Sequence, residues 1–182
     1  MEARAKVFIG GSRSLSRLPR AILNRLDRII DKGLSVLVGD AKGMDKAVQG
    51  YLASKNYDQV IVFCMAGACR NNLGHWPTHE VEGDSHGRRD ASYYGRKDRA
   101  MGAEADYGFM LWDGKSRGTI ANIEDLLRRE KPVVAYIAPN RSFVTLREPA
   151  DLDRLLSRSL TESPESGPTT QPLGAARNAV LF

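Results

Sequence analysis

One stretch of the sequence reads Tyr107-Gly-Phe-Met-Leu-Trp-Asp-Gly-Lys-Ser-Arg-Gly-Thr119. It predicts a strand, a tight loop and the start of a helix. Apolar residues 107–112 predict a buried strand, and amphipathic residues 120–129 predict a helix. The loop between them supplies glycines, hydroxyls and cations: Gly114, Gly118, Ser116, Thr119, Lys115 and Arg117. Together with the unpaired N–H groups of the helix, these residues suit an anion such as phosphate. The alternative is a plain strand-to-helix turn with Thr119 as its N-cap.

Composition predicts one globular domain followed by a tail. The chain has 182 residues, 42% of them hydrophobic, and a formal net charge of +5. A basic chain suits a nucleic acid or a pocket for a phosphorylated small molecule, and charge alone does not choose between them. No apolar run is long enough to span a bilayer and no leader is apparent, so we expect a soluble, cytoplasmic protein without a membrane partner. Two cysteines argue against a disulfide scaffold and fit a reducing compartment.

Strand and helix patterns alternate along the chain. The other apolar runs predict strands at residues 5–9, 34–38, 60–64 and 133–137, with a possible edge strand at 143–146. Helical periodicity fills the intervals and resumes at 151–160, whereas residues 65–88 form a loop without periodicity. We therefore predict an α/β, Rossmann-like, doubly wound and mostly parallel sheet of about five strands with helices on both faces. It spans residues 1–160 and is followed by a flexible tail at 161–182.

Three glycine-rich loops follow predicted strands and should meet at the carboxyl edge of the sheet, where such folds bind ligands. The predicted ligand-binding residues of the first two are Gly10, Gly11, Ser12, Arg13, Gly39, Asp40, Lys42, Gly43 and Asp45. The third loop adds Asp113, Gly114, Ser116, Arg117, Gly118 and Thr119. Neither the Gly-x-Gly-x-x-Gly nor the Gly-x-x-x-x-Gly-Lys-Ser/Thr fingerprint occurs, which disfavours a dinucleotide dehydrogenase and a P-loop ATPase.

These three motifs, in this order from about residue 5 to 138, resemble the SLOG superfamily. The resemblance is strongest to its small single-domain members, whose last loop reads Asp-Gly-x-Ser-x-Gly-Thr. The resemblance implies a Rossmann-like domain that binds a nucleotide or nucleotide-derived molecule, with Gly118 and Thr119 on the phosphate. It also implies a homodimer formed through outer helices. Relatives include the lonely-guy-type phosphoribohydrolases, which cleave an N-glycosidic bond, sensors, and DprA-like proteins that bind single-stranded DNA.

The chain departs from the phosphoribohydrolase pattern at two positions. Asn122 stands where those enzymes carry a glutamate, and an amide cannot supply negative charge beside an oxocarbenium ion. Lys97 stands where their Arg-Lys-x-x-Met motif has arginine, counting back from Met101. Lys97 is retained as a predicted ligand-binding residue.

Other acids are available for chemistry at a ribose. Asp113 is the predicted catalytic residue, and Asp40 and Asp45 are further acids that can line the pocket. The alternative is that Asp113 accepts N–H bonds from its own loop and that Asp45 caps the second helix.

Both cysteines and all three histidines lie between Cys64 and His86. Their spacing matches no familiar zinc motif, so no metal and no cofactor is predicted. We expect this loop to cover the pocket and recognise a base, with Trp76, Tyr93 or Tyr94 stacking on it; these aromatics could equally belong to the core.

Three functions follow as hypotheses. The first is binding of a nucleotide-derived phosphorylated small molecule, with possible cleavage or transfer at its N-glycosidic bond. The second is a non-catalytic sensor of such a ligand, and the third, less favoured, is single-stranded nucleic-acid binding.

Overall fold

The structure, a computed structural model, describes residues 4–67, 69–83, 91–161 and 181–182. These residues form seven strands: β1 Lys6–Gly11, β2 Ser35–Gly39, β3 Val60–Met65, β4 Thr78–Val81, β5 Tyr107–Trp112, β6 Val133–Ile137 and β7 Ser142–Leu146. The helices are α1 Arg20–Asp31, α2 Met44–Ser54, α3 Ala91–Glu104, α4 Arg117–Arg128 and α5 Pro149–Thr161. The predictions for His86, for a helix start at Asp90 and for residues 162–180 of the tail fall outside the described residues.

The strands form one sheet in the order β4-β3-β2-β1-β5-β6-β7. All neighbours are parallel except β6 and β7, which are antiparallel. The chain builds outward from β1 in one direction as far as β4, then returns to β5 on the other side of β1. The helices that follow β1 and β5 therefore pack on opposite faces of the sheet, and folds of this kind bind ligands at the carboxyl edge near such a reversal of strand order.

Helices cover both faces of the sheet, as predicted. Side chains of each central strand alternate between two cores, as period-2 strands must when both faces are buried. Val7 and Ile9 of β1 pack with α1 and α2, whereas Phe8 packs with α3 and α4. The Rossmann-like α/β prediction is confirmed.

The structure corrects three details. β4 lies within residues 65–88, which the sequence predicted to be a loop, and the predicted edge strand β7 is present, so the sheet has seven strands instead of about five. α4 begins at Arg117 instead of residue 120. At the chain end, Phe182 is fully buried beside Tyr107 and Phe109, and Arg25 donates to its carbonyl oxygen. Residues 181 and 182 therefore pack on the sheet, whereas the sequence predicted that they belong to a flexible tail.

Across the part of the chain that the structure describes, no helix combines the length and apolar character needed to cross a membrane.

Candidate functional site

A polar cleft lies at the carboxyl edge of the sheet beside β1. We call it the cleft. Its walls come from β1, from the loops after β1, β2 and β3, and from α2, α3 and α4. The lining residues are Phe8, Gly10, Gly11, Arg13, Ala41, Lys42, Asp45, Arg70, Tyr94, Lys97, Asp98, Met101 and Asn122.

Lys97 forms the floor of the cleft. It lies on α3 with 3% of its surface exposed, and its Nζ donates to Oδ1 of Asp98 at 3.0 Å. Oδ2 of Asp98 accepts from the side-chain amide of Asn122 at 3.2 Å. Burial acts to lower the pKa of Lys97, but the charges of Asp98, Asp45 and Asp40 outweigh burial and raise this pKa above its usual value. Lys97 is therefore a buried, charged ammonium.

Asp45 faces Lys97 from the first turn of α2. It is 9% exposed, and its Oδ2 accepts the backbone N–H of Ala41 at 3.1 Å. Oδ1 of Asp45 accepts no hydrogen bond from the described residues. Because none of their fully buried side-chain polar atoms lacks a partner, Oδ1 must be open to the cleft. Burial raises the pKa of Asp45 to about 6, although the charge of Lys97 opposes the rise. Asp45 does not hold the N-cap position of α2, which belongs to Gly43.

Asp40 lies behind the wall of the cleft and binds Arg70. Nε and NH2 of Arg70 donate to the two carboxylate oxygens at 3.1 and 2.7 Å, and the Arg70 backbone N–H donates at 3.0 Å. Burial acts to raise the pKa of Asp40, but these bonds and the charge of Lys97 prevail, and the pKa falls below its usual value. Asp40 thus holds the loop after β3 against the loop after β2.

Tyr94 provides the aromatic surface of the cleft. The guanidinium carbon of Arg70 lies 4.6 Å from the centre of the Tyr94 ring, and that of Arg13 lies 5.8 Å from it. Both distances fall within the range of cation–π attraction. Trp76, a candidate for base stacking, is buried in the core, where its indole N–H donates to the Tyr57 carbonyl. Of the proposed stacking residues, Tyr94 is the one that lines the cleft.

The three glycine-rich loops do meet. Oγ of Ser12 lies 3.3 Å from Oγ1 of Thr119 and accepts the backbone N–H of Asp113 at 3.1 Å. The loop after β1 also touches the loop after β2, since a Cβ on Gly43 would overlap the Arg13 carbonyl. Gly43 has a φ of 78°, so this close approach requires glycine. The hydroxyl of Ser12 is committed to joining loops.

Asp113 is engaged by its own loop. Oδ1 accepts the N–H groups of Lys115 and Ser116 at 2.9 and 2.7 Å, and Oδ2 accepts the hydroxyl of Ser14 at 2.6 Å. Burial acts to raise the pKa of Asp113, but these hydrogen bonds lower it to about 2. Asp113 does not line the cleft. Its catalytic role stays a prediction, and its contacts favour the alternative of a loop-positioning residue.

The N-cap of α4 is Ser116, where Thr119 was the predicted cap. Oγ of Ser116 accepts the backbone N–H of Thr119 at 3.3 Å, so Thr119 lies inside the first turn. Thr119 is 2% exposed and uses its hydroxyl toward Ser12 and Ser116. Arg117 and Gly118 remain exposed at the start of α4.

The predicted ligand-binding residues therefore divide into two sets. Those that line the cleft are Gly10, Gly11, Arg13, Lys42, Asp45 and Lys97. Those that do not line it are Ser12, Gly39, Asp40, Gly43, Asp113, Gly114, Ser116, Arg117, Gly118 and Thr119. Several members of the second set shape the cleft from behind. A Cβ on Gly39, for example, would collide with both the Asp45 carboxylate and the Lys97 ammonium.

Arg70 and Asp98 were missed by sequence reasoning. Arg70 reaches Asp40 across 30 positions of sequence, and no spacing pattern connects the two residues. Asp98 follows Lys97 directly, and an acid beside a lysine on a helix is ordinarily a solvated pair. The deep burial of Lys97 alone distinguishes this pair.

The cysteines form a disulfide between Cys64 and Cys69, with a Cα–Cα distance of 5.1 Å. The sequence argued against a disulfide scaffold and did not predict this single bond. The bond closes a short loop after β3, and Cys69 directly precedes Arg70.

Comparisons with known proteins support the fold. The chain is similar to DNA processing protein A from Helicobacter pylori, whose structure was described for its single-stranded DNA binding mode, with a TM-score of 0.53 and 17% identity. The match covers 72% of this chain and 64% of that one, so the chain spans less than two thirds of its neighbour. A scan against family models found no match, and a search of curated proteins found none either. The predicted resemblance to DprA-like proteins is thus supported by a similar structure, and this similarity shows the fold.

The pKa of Asp45 predicts a pH-dependent effect of the substitution Asp45→Asn. Because the pKa in the folded state lies near 6 instead of the usual 3.8, the folded chain holds this proton more tightly than the unfolded chain. The Asp45 contribution to stability is therefore lost as pH rises from about 4 to about 6. Relative to wild type, Asp45→Asn should gain about 2 kcal/mol in the free energy of unfolding between pH 4.5 and pH 7.5, measured by urea unfolding at both values.

Asp113→Asn is the matched control with the opposite sign. Its lowered pKa makes the ionised form stabilising, so this variant should be less stable than wild type at pH 7.5 and approach wild type as pH falls toward 2. A constant stability difference for Asp45→Asn between pH 4.5 and 7.5 would contradict the burial of its carboxylate.

Proposed function

We propose that the cleft binds a nucleotide-derived phosphorylated small molecule. The observation that carries this proposal is the combination of a cation-flanked aromatic ring with a buried carboxylate and a buried ammonium in one cleft. Tyr94 with Arg70 offers a flat surface for a base, since both aromatic rings and guanidinium planes stack on bases. Asp45 offers an acceptor oxygen for a ribose hydroxyl.

The same region offers cations and helix N–H groups to the phosphate of the proposed ligand. Arg13 and Lys42 are exposed at the cleft and carry positive charge at neutral pH. The Ser12–Thr119 contact places the first turn of α4 beside the loop after β1. The Thr119 N–H of that turn is bound to Ser116, which leaves the N–H groups of Arg117 and exposed Gly118 for an anion that extends from the cleft.

Nucleotide binding should depend on Tyr94. We expect at least one of the four ribonucleoside monophosphates to raise the melting temperature of the wild-type protein. Tyr94→Leu removes the stacking surface and should weaken the affinity for that nucleotide, measured by calorimetry, about tenfold or more.

The matched control is Arg128→Ala. Arg128 is an exposed cation on α4 that pairs with Glu124 and lies outside the cleft lining, so its removal should leave nucleotide affinity unchanged. Equal affinity of the Tyr94→Leu variant and wild type, or no response to any nucleotide, would refute the proposal.

Cleavage of the N-glycosidic bond is the finer proposal for this site. Oδ1 of Asp45 is the free carboxylate oxygen of the cleft, so we assign it the position near the ribose, in preference to Asp113. Incubation with the bound nucleotide should release free base, detected by chromatography. Asp45→Asn should abolish release while nucleotide binding persists. Binding without any release by the wild-type protein would identify a sensor instead of an enzyme.

Single-stranded nucleic acid is the second candidate ligand. The fold similarity to DNA processing protein A favours it, and so does the sequence pI of about 9.4. In this case the cleft takes one nucleotide unit of a longer strand. Affinity for a thymidine oligonucleotide should then fall steeply with salt, with a slope of about −0.7 per phosphate contacted on a log–log plot. Salt-independent affinity, or no affinity at low salt, would exclude this candidate.

A further inference from the structure

Two sulfur atoms and one carboxylate converge behind the cleft. A Sγ atom from each of Cys64 and Cys69 and a carboxylate oxygen of Asp40 all lie within 4.8 Å of one another. Cys64 and Asp40 are buried, and Cys69 is exposed. Cysteine and aspartate are both zinc ligands.

Sheet register explains two of the three positions. β2 and β3 are adjacent parallel strands, and Gly39 of β2 lies opposite Phe63 of β3. Asp40 and Cys64 follow these residues, so they emerge side by side at the carboxyl edge. This proximity is fixed by the central sheet and does not depend on the conformation of a loop.

Arg70 holds the third residue, Cys69, in place. Its side chain and backbone N–H bind Asp40, and the side chain of Asn71 donates to the Asp40 carbonyl at 2.7 Å. These bonds draw the loop after β3 back over β2 and bring Cys69 to Cys64. Gly67, with a φ of 85°, makes the turn that permits this return.

The carboxylate of Asp40 keeps one acceptor position, on Oδ1, for a metal ion. A carboxylate offers about four lone-pair positions, and Arg70 uses three of them. Carboxylates that ligate metals are themselves held by hydrogen bonds from an outer shell of residues. Arg70 occupies that outer position here.

We propose that, in the reduced protein, Cys64, Cys69 and Asp40 bind one zinc ion. A reductant breaks the Cys64–Cys69 bond and leaves two cysteine thiols: a dithiol is itself oxidised to a disulfide, and a phosphine, with one water molecule, to a phosphine oxide. Zinc then replaces the two thiol protons, which pass to solvent, and the two thiolates and the carboxylate become ligands. Water completes the tetrahedron, as in zinc sites with three protein ligands.

The sulfur atoms must separate for this to occur. Zn–S bonds of about 2.3 Å in a tetrahedron place two sulfurs about 3.8 Å apart. Cys69 can supply this movement because it is exposed and lies in a loop, whereas Cys64 is fixed in β3. Zinc suits the site better than magnesium or calcium, since these ions select oxygen ligands.

The experiment measures metal content in the full chain reduced with a phosphine. The protein is incubated with excess Zn²⁺, freed of unbound metal and analysed for zinc. We expect one zinc per chain in the reduced wild-type protein, and none in Cys69→Ser or in protein kept oxidised. Replacing Zn²⁺ with Co²⁺ should give thiolate-to-cobalt charge-transfer absorption in the wild-type protein.

His75→Asn is the matched control, because His75 is an exposed imidazole of the same region and its φ of 54° suits asparagine. This variant should keep its zinc. Absence of zinc from the reduced wild-type protein would overturn the proposal and leave a disulfide alone. Retention of zinc by Cys69→Ser, or cobalt spectra without thiolate bands, would overturn it as well. Circular dichroism of Cys69→Ser distinguishes loss of a ligand from loss of the fold.

Discussion

The buried ammonium of Lys97 is the constraint on which the cleft depends. A charge with 3% exposure costs several kcal/mol to bury unless other charges compensate it. Compensation comes from Asp98 by a direct hydrogen bond and from Asp45 and Asp40 by charge. The charge of the Lys97 ammonium therefore attracts acids from three elements: Asp98 on α3, Asp45 on α2, and Asp40 in the loop after β2. Gly39 is required at the centre because a side chain there would displace both Asp45 and Lys97.

The same charge balance gives the cleft its chemical character. Asp40 is neutralised by Arg70, and Arg70 in turn faces Tyr94. Asp45 keeps one oxygen toward the cleft, beside a positive charge that has spare hydrogen-bond donors. A ligand that offers hydroxyls, a flat ring and an anion would satisfy all these groups at once, and a nucleotide has all three. The similarity to DNA processing protein A shows the fold and does not define a ligand.

The sequence predicted the fold well because both signals on which it rests are local. Continuous apolar strands and helical periodicity identified every central strand, and the α/β alternation implied the parallel sheet. β4 was missed because Thr78, His79 and Glu80 are all exposed, so its sequence carries no apolar run. The cap of α4 was misplaced because Ser116 and Thr119 are equivalent as cap residues, and only the observed bond from the Thr119 N–H to Ser116 distinguishes them. The site was harder to predict. Arg70 joins it through Asp40, 30 positions away, and nothing in the sequence indicates that Lys97 beside Asp98 is buried.

We propose that a nucleotide unit occupies the cleft between Lys97 and Tyr94, and a crystal structure of the protein with a ribonucleoside monophosphate is the test. We expect electron density for a base against the Tyr94 ring and for a sugar beside Asp45. A nucleotide bound elsewhere, with the cleft holding only solvent, would contradict it.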